Sequence, residues 1–200
     1  MAINSNIQAF RDNFQGGTRP NRFLVEGELG GKDGASILLE AKHSFLIKAT
    51  TLPASTIGII PVPYRGRVLK IPGDRMFAEW SITVIDDSDE SVFEGGDDTV
   101  TTPKNLRSDF IAWSNAINSH VGNVSEDPAG AKLAKTWTVS MLSQTTKGLS
   151  TDKKIRTITL HNCWPIEIAA VDLSYDMADT ITEFQVNLAY DYWTELGNTT

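Results

Sequence analysis

Residues 77–85 read FAEWSITVI, and the strict alternation in this stretch decides the fold class of the chain. Side chains two apart share a face of an extended strand, so the stretch has one apolar face and one polar face. The polar face consists of Glu79, Ser81 and Thr83. A strand of this kind covers a core on one side and meets water on the other, as strands of antiparallel sheets do.

A second stretch near the C terminus, residues 181–193 (ITEFQVNLAYDYW), repeats the pattern, and its polar face includes Glu183, Gln185 and Asn187. Alternation also predicts strands at 22–28, 44–50, 135–142 and 153–163. Pro165 is expected to separate the last of these from a further strand over 166–175. Eight to ten strands indicate a mainly β protein, an antiparallel sandwich or barrel.

One flanking helix is predicted after residue 102. Its apolar residues recur at helical spacing on a single face: Leu106, Phe110, Trp113 and Ile117. Thr102 is expected to cap this helix, with Pro103 as its first residue and Gly122 beyond its end.

The length of 200 residues suits one domain. Residues 1–19 are expected to form a flexible arm, and the polar stretches 28–42, 86–102 and 121–134 to form extended loops. Residues 57–71 supply one or two strands. Pro72 and Gly73 predict a type II turn over residues 71–74.

Charge is unevenly distributed along the chain. Residues 86–98 contain seven acidic side chains and no cation, which equals the whole net charge of −7. Because polyanion-binding surfaces normally carry a basic excess, specific nucleic-acid binding is not expected, whereas weak or repulsive contact with DNA is compatible. The acidic segment lacks the spacing of a calcium loop and is expected to be solvated. No membrane segment and no internal disulfide are expected, since the apolar runs are short and Cys163 is the single cysteine.

No catalytic or cofactor site is expected. His43, His120 and His161 have no companions in a pattern typical of nucleophilic catalysis, and the Gly-Gly pairs do not form a phosphate loop. His161 and Cys163 would share a face of a strand and could form half of a zinc site, but the second pair of ligands is missing.

Residues 64–80, YRGRVLKIPGDRMFAEW, concentrate cations in an acidic chain. Arg65 and Arg67 are two apart and would share a strand face, where they either protect an edge strand from aggregation or meet carboxylates of another subunit. Asp74 and Arg75 either fix the turn locally or reach across the same interface.

Several fragments, in order over residues 21–193, resemble the tail tube proteins of contractile-tailed, T4-like bacteriophages, a family that shares its fold with type VI secretion tube proteins. The matching fragments are Asn21-Arg22-Phe23, residues 45–53, residues 62–67 with Lys70, residues 73–80, Phe110 with Trp113, residues 160–166 and residues 181–193. The stretches 86–102 and 121–134 are longer than the family pattern leads us to expect.

The resemblance implies a subunit whose copies form hexameric rings, each closing one β-barrel, and rings that stack into a hollow tube for DNA delivery. The implied partners are the tail sheath, baseplate and tail terminator proteins, and the implied location is the virion tail, assembled in the host cytoplasm. It makes one set of residues candidate contacts between subunits or rings: Arg65, Arg67, Lys70, Asp74 and Arg75. It makes another set candidates for the lumen, where DNA passes without specific binding: Glu79, Ser81, Thr83, Glu183, Gln185 and Asn187.

Three alternatives stay open from the sequence. A baseplate tube initiator or a tail terminator of the same fold would show the same pattern, and so would a type VI secretion tube subunit. A carbohydrate-binding β-sandwich is compatible with five tryptophans. However, Trp80, Trp113 and Trp137 fall on apolar faces and are expected in the core.

Overall fold

The computed structural model of the chain describes residues 7–14, 17–31, 36–39, 41–87, 105–125, 132–143 and 153–196. In this part the protein is mainly antiparallel β, with ten strands and three helices. The strands are β1 (Phe23–Gly30), β2 (Ser36–Leu38), β3 (Ile47–Thr50), β4 (Ser55–Tyr64), β5 (Arg67–Phe77), β6 (Trp80–Ile85), β7 (Lys135–Leu142), β8 (Lys154–Ile168), β9 (Glu183–Ala189) and β10 (Tyr192–Glu195). The helices are α1 (Ile7–Asn13), α2 (Ala41–Leu46) and α3 (Leu106–Ile117). None of the helices in the described ranges is long and apolar enough to cross a bilayer.

The long strand β8 joins two halves of one sheet, whose order is β2-β1-β7-β8-β9-β6-β3. Its first part, residues 154–163, pairs with β7 on one side, and β10 pairs with residues 158–161. Its second part, residues 164–168, pairs with β9. Near the end of the first part Asn162 adopts a left-handed φ of 58°, and the register with β7 shifts there. Such a bulge bends a strand, which allows the two halves to face each other.

The core lies between these halves and beneath α3. Trp80 of β6 meets Trp137 of β7 edge to face, with ring centroids 5.9 Å apart. The inward residues of β6 and β9 are buried as the alternation predicts: Trp80, Ile82, Val84, Phe184, Val186 and Leu188. Trp80, Trp113 and Trp137 each donate their indole N–H to a backbone carbonyl. These three rings are therefore core residues whose polar atoms are hydrogen-bonded. None of the three is exposed to stack against a bound sugar.

The predicted turn at residues 71–74 is wrong. The chain reverses instead at Arg65-Gly66, whose φ angles of 44° and 79° suit the tight two-residue turn that matches strand twist. Pro72 and Gly73 lie inside β5, next to a register shift on the facing strand between Ile57 and Ile59. A two-stranded hairpin has open edges and tolerates a bulge, so proline fits within it without breaking the pairing.

Strand and helix boundaries also differ from the prediction. The region 77–85 splits, because Phe77 ends β5 and β6 begins at Trp80. The predicted strand 44–50 is helical up to Leu46, and only Ile47–Thr50 is extended. Helix α3 begins at Leu106, where the side chain of Asn105 accepts a hydrogen bond of 2.8 Å from the Ser108 N–H. Thr102 and Pro103 lie outside the described residues.

The last third of the chain differs in two places. Pro165 does not separate two strands but lies within β8, opposite Leu188, and the strand ends at Ile168 instead of continuing to residue 175. Proline fits there because residues 164–168 have a strand on one side only among the described residues. The predicted final strand divides into β9 and β10, since Asp191 turns to donate its backbone N–H to the His161 carbonyl.

The predicted arm and loops are described only in part. Residues 7–13 of the arm form α1, where Phe10 and Phe14 stack. The stretch 28–42 contains the end of β1, all of β2 and the start of α2. Most of 86–102, with nearly all of the acidic segment, and residues 126–131 lie outside the described residues.

Candidate functional site

The two predicted polar faces lie side by side. Ser81 pairs with Asn187, and Thr83 pairs with Gln185, across β6 and β9. The Gln185 amide donates to Asn187 Oδ1 at 2.9 Å, and the Asn187 amide donates to Glu167 of β8 at 3.0 Å. Five of the six predicted lumen residues therefore belong to one sheet surface. The sixth, Glu79, is exposed in the link before β6.

This surface extends over four strands, β3, β6, β9 and residues 164–168 of β8, which we call the polar sheet. Two of its charged residues were not predicted from the sequence: Glu167 on β8 and Lys48 on β3. The Lys48 ammonium lies 2.5 Å from the Glu183 carboxylate. Their contacts join residues distant in sequence, so no local pattern could have indicated them.

The polar sheet has two open edges in the described structure. Neither β3 nor residues 164–168 pairs with a second strand on its outer side. Each edge carries exposed apolar side chains: Trp164 and Ile166 on β8 are 41% and 43% exposed, and Phe45 next to β3 is 78% exposed. A cavity of about 560 Å³ lies beside β3, lined in part by Phe45, Ile47 and Leu142. Open edges flanked by apolar groups are typical of surfaces that another chain covers.

The two edges run in opposite directions. β3 is antiparallel to β6, β6 to β9, and β9 to β8. A second copy in the same orientation could therefore place its β3 antiparallel to residues 164–168 of the first.

The hairpin of β4 and β5, residues 55–77, exposes apolar side chains on both faces. Cross-strand partners share a face, which places Ile60 with Ile71 and Val62 with Leu69 on one side. On the other side Ile59 lies opposite Pro72, and Pro63 opposite Val68. At its base Phe77 contacts the Tyr190 ring at 5.9 Å. Exposed apolar side chains on both faces of a two-stranded hairpin are typical of a surface that a partner covers.

All five predicted interface residues lie on this hairpin and are exposed. Arg65 and Arg67 do not share a strand face, because Arg65 belongs to the turn, with its guanidinium 5.3 Å from the Tyr64 ring centroid. Arg67 lies opposite Tyr64 and Lys70 opposite Pro61, so each face has one cation near the tip. Asp74 lies in the irregular stretch facing Gly58.

The prediction that His161 and Cys163 share a strand face is wrong, because the bulge at Asn162 interrupts the alternation of side chains between them. His161 stacks on Tyr192 with ring centroids 4.6 Å apart and lies 2.9 Å from Thr194 Oγ1 through Nε2. Cys163 is fully buried, and burial raises the pKa of its thiol to about 12. The described ranges contain no cluster of three or more His, Cys, Asp or Glu side chains able to hold a metal ion.

Comparison with known proteins identifies the class. A family model described as phage tail tube protein matches residues 19–196. The chain belongs to the phage tail tube protein family. It is 28% identical to the tail tube protein of Enterobacteria phage T4 over 175 residues, 88% of this chain and 90% of that protein. The resemblance inferred from the sequence fragments is therefore confirmed.

Solved structures show a shared fold. A chain of the anti-feeding prophage baseplate has a TM-score of 0.57 at 10% identity and covers 94% of this chain and 100% of its own length. A chain of the extended sheath-tube complex of the PVC contractile injection system has a TM-score of 0.52 at 16% identity, covering 93% of this chain and 95% of its own length. The same fold thus occurs in baseplate and tube assemblies.

We predict that Cys163 is inert in the folded protein. Its pKa is raised by burial, so the thiol stays protonated at pH 8, where maleimide labels exposed cysteines. Labelling should be at least about 100-fold slower than at a cysteine introduced by Val121→Cys, since Val121 is fully exposed. Mass spectrometry should show rapid labelling of Cys163 only after denaturation. Equal rates at both positions in the native protein would contradict the burial.

Proposed function

We propose that this protein is the repeating structural subunit of a contractile phage tail tube, in which six copies close a ring around a channel for DNA. The observation that carries this proposal is the polar sheet with its two open, oppositely directed edges. The family match supports the role as a tail component.

Ring closure follows from the strand directions. Copies related by rotation about one axis keep the same orientation along it, so β3 of one copy meets residues 164–168 of the next in antiparallel fashion. This contact continues the alternation already present within each copy. Closing the ring removes every open edge of the polar sheet, which is how β-barrels avoid edge-to-edge aggregation.

The expected channel is wide. Six copies would contribute roughly 24 strands, and at about 4.8 Å between neighbours these give a circumference of about 115 Å and a backbone diameter of at least about 37 Å. The inner wall would present the polar face, with carboxylates at Glu79, Glu167 and Glu183 and amides at Gln185 and Asn187. Such a wall offers phosphates few cations, so DNA would slide without binding.

The other roles follow from the same geometry. The residues Arg65, Arg67, Lys70, Asp74 and Arg75 would contact neighbouring copies, because they lie on an exposed hairpin with no other described partner for its apolar faces. A sheath would surround the tube, with a baseplate and a terminator at its ends, in a virion tail assembled in the host cytoplasm. A scaffold of this kind needs neither a catalytic group nor a cofactor.

The match to a tail tube protein over 90% of that protein's length favours the tube subunit over a baseplate initiator or a terminator of the same fold. Electron microscopy of the purified protein separates them. A tube subunit should form six-fold rings and long tubes, whereas an initiator or terminator would form single rings, and a permanent monomer would refute the proposal.

We predict that Ile166→Asp blocks ring assembly without unfolding the subunit. Ile166 is 43% exposed at the open edge, so a carboxylate there is tolerated in the monomer but buried without a partner in the ring. The concentration needed for assembly, measured by sedimentation, should rise at least about tenfold, as a loss of about 1.4 kcal/mol per contact requires.

Ile155→Asp provides the matched control for this change. Ile155 lies on the same strand and is 51% exposed, but outside residues 164–168. It should assemble as the unmodified protein does. Equal assembly by both variants would exclude residues 164–168 as the ring contact.

We predict that Glu79→Lys combined with Glu183→Lys slows DNA ejection while tubes still form. Both residues would face the channel, and lysines there would bind phosphates. Phage carrying the variant should eject DNA at least about threefold more slowly at low salt, with partial recovery at high salt.

The control is Glu26→Lys on β1, because Glu26 pairs with Lys154 at 2.5 Å just as Glu183 pairs with Lys48. It lies outside the polar sheet and should leave ejection unchanged. An unaltered ejection rate in the Glu79 and Glu183 variant would contradict the lumen assignment.

A further inference from the structure

The hairpin and an acidic loop leave opposite ends of the polar sheet. The chain enters the hairpin after Thr50 of β3 and leaves it before Trp80 of β6. At the other end β6 finishes at Ile85, which pairs with Glu183, the first residue of β9. The loop over residues 169–182, which we call the acidic loop, connects β8 to β9 at this second end. The two features are therefore separated by the length of the polar sheet.

The acidic loop is both apolar and negative. It carries Asp172, Asp176 and Asp179 and contains no lysine or arginine. Its apolar side chains protrude into solvent: Leu173, Tyr175, Met177 and Ile181. The loop borders a cavity of about 320 Å³, lined by residues that include Val171, Leu173 and Met177. Nothing within the described chain covers these side chains.

The hairpin is the complement of this loop. Its four cations and one carboxylate, Asp74, leave a charge of +3, against −3 on the acidic loop. In the described structure Arg67 and Lys70 form no ion pair, and neither do the three aspartates of the loop. Both features also expose large apolar groups, so a contact between them would bury apolar surface and bring opposite charges together.

We propose that the hairpin of one subunit docks on the acidic loop of a second copy, stacked above it along the ring axis. This inference rests on the proposed tube function and names the partner surface for the hairpin. A shift along the axis brings the hairpin end of one sheet to the loop end of the next. Ten extended residues span about 33 Å, against roughly 20 Å for the six-residue β6, so a hairpin directed along the axis would be long enough to reach the next copy.

The contact is heterologous and therefore repeats. Each copy uses its hairpin on one side and its acidic loop on the other, and such a head-to-tail contact does not close on itself when copies are shifted along an axis. Burial of the apolar groups supplies the attraction, and the charges set the direction. Two hairpins would repel each other because both are positive, and two acidic loops would repel because both are negative. All rings would therefore stack in the same direction.

Charge reversal tests the pairing. Arg67→Glu with Lys70→Glu, or Asp172→Arg with Asp176→Arg, should each leave rings but shorten tubes at least about tenfold in electron micrographs. All four changes together leave −1 on the hairpin and +1 on the acidic loop, so attraction returns in weaker form, and tubes should be longer than with either pair of changes alone. Arg19→Glu with Lys153→Glu is the matched control, because it makes the same change of charge at exposed positions outside both features.

A second measurement does not depend on charge. Leu69→Cys and Tyr175→Cys in one chain should give a ladder of linked subunits with a short bismaleimide, while each single variant gives none. Cys163 is buried and does not interfere.

The outcomes separate the two proposals. If the unmodified protein forms no rings, the tube function fails, and this inference fails with it. If tubes form but the combined charge exchange does not lengthen them beyond either pair of changes alone, or the two cysteines do not link, the hairpin docks elsewhere and the tube function stands.

Discussion

The open edges of the polar sheet are the constraint on which the rest of the structure depends. On their outer sides, β3 and residues 164–168 carry backbone polar groups that no described strand pairs with. The inner face of the polar sheet packs on the core through Trp80 of β6 and through Val186 and Leu188 of β9. Within the described residues the sheet is left with two unpaired edges, which the proposed ring would join.

The hairpin of β4 and β5 likewise leaves surface uncovered, in this case apolar side chains. Among the described strands β4 and β5 pair only with each other, and their apolar side chains are exposed on both faces. An arrangement of this kind gains little from the subunit that carries it and much from a neighbour. The proposed ring contact through strand edges and the proposed stacking contact through the hairpin use different elements. Under the proposal, a change in one contact would leave the other intact, so rings and tubes would be separable in experiment.

Local patterns predicted the faces of the sheet and failed at its connections. Alternation in β6 and β9 identified the buried and polar sides, because side-chain direction is a property of each strand alone. The turn was misplaced because Pro72 and Gly73 satisfy a local rule, whereas the register of β4 against β5 places the reversal at Arg65-Gly66. Lys48 and Glu167 joined the polar sheet through contacts across strands, which no short window of sequence contains.

The most direct test is a cryo-electron microscopy map of the assembled protein at a resolution that traces the main chain. The account predicts that β3 of each copy is hydrogen-bonded antiparallel to residues 164–168 of the next, and that six copies form one continuous sheet around the channel. Rings in which these two strands face solvent, or in which the polar sheets of neighbouring copies are not hydrogen-bonded, would contradict it.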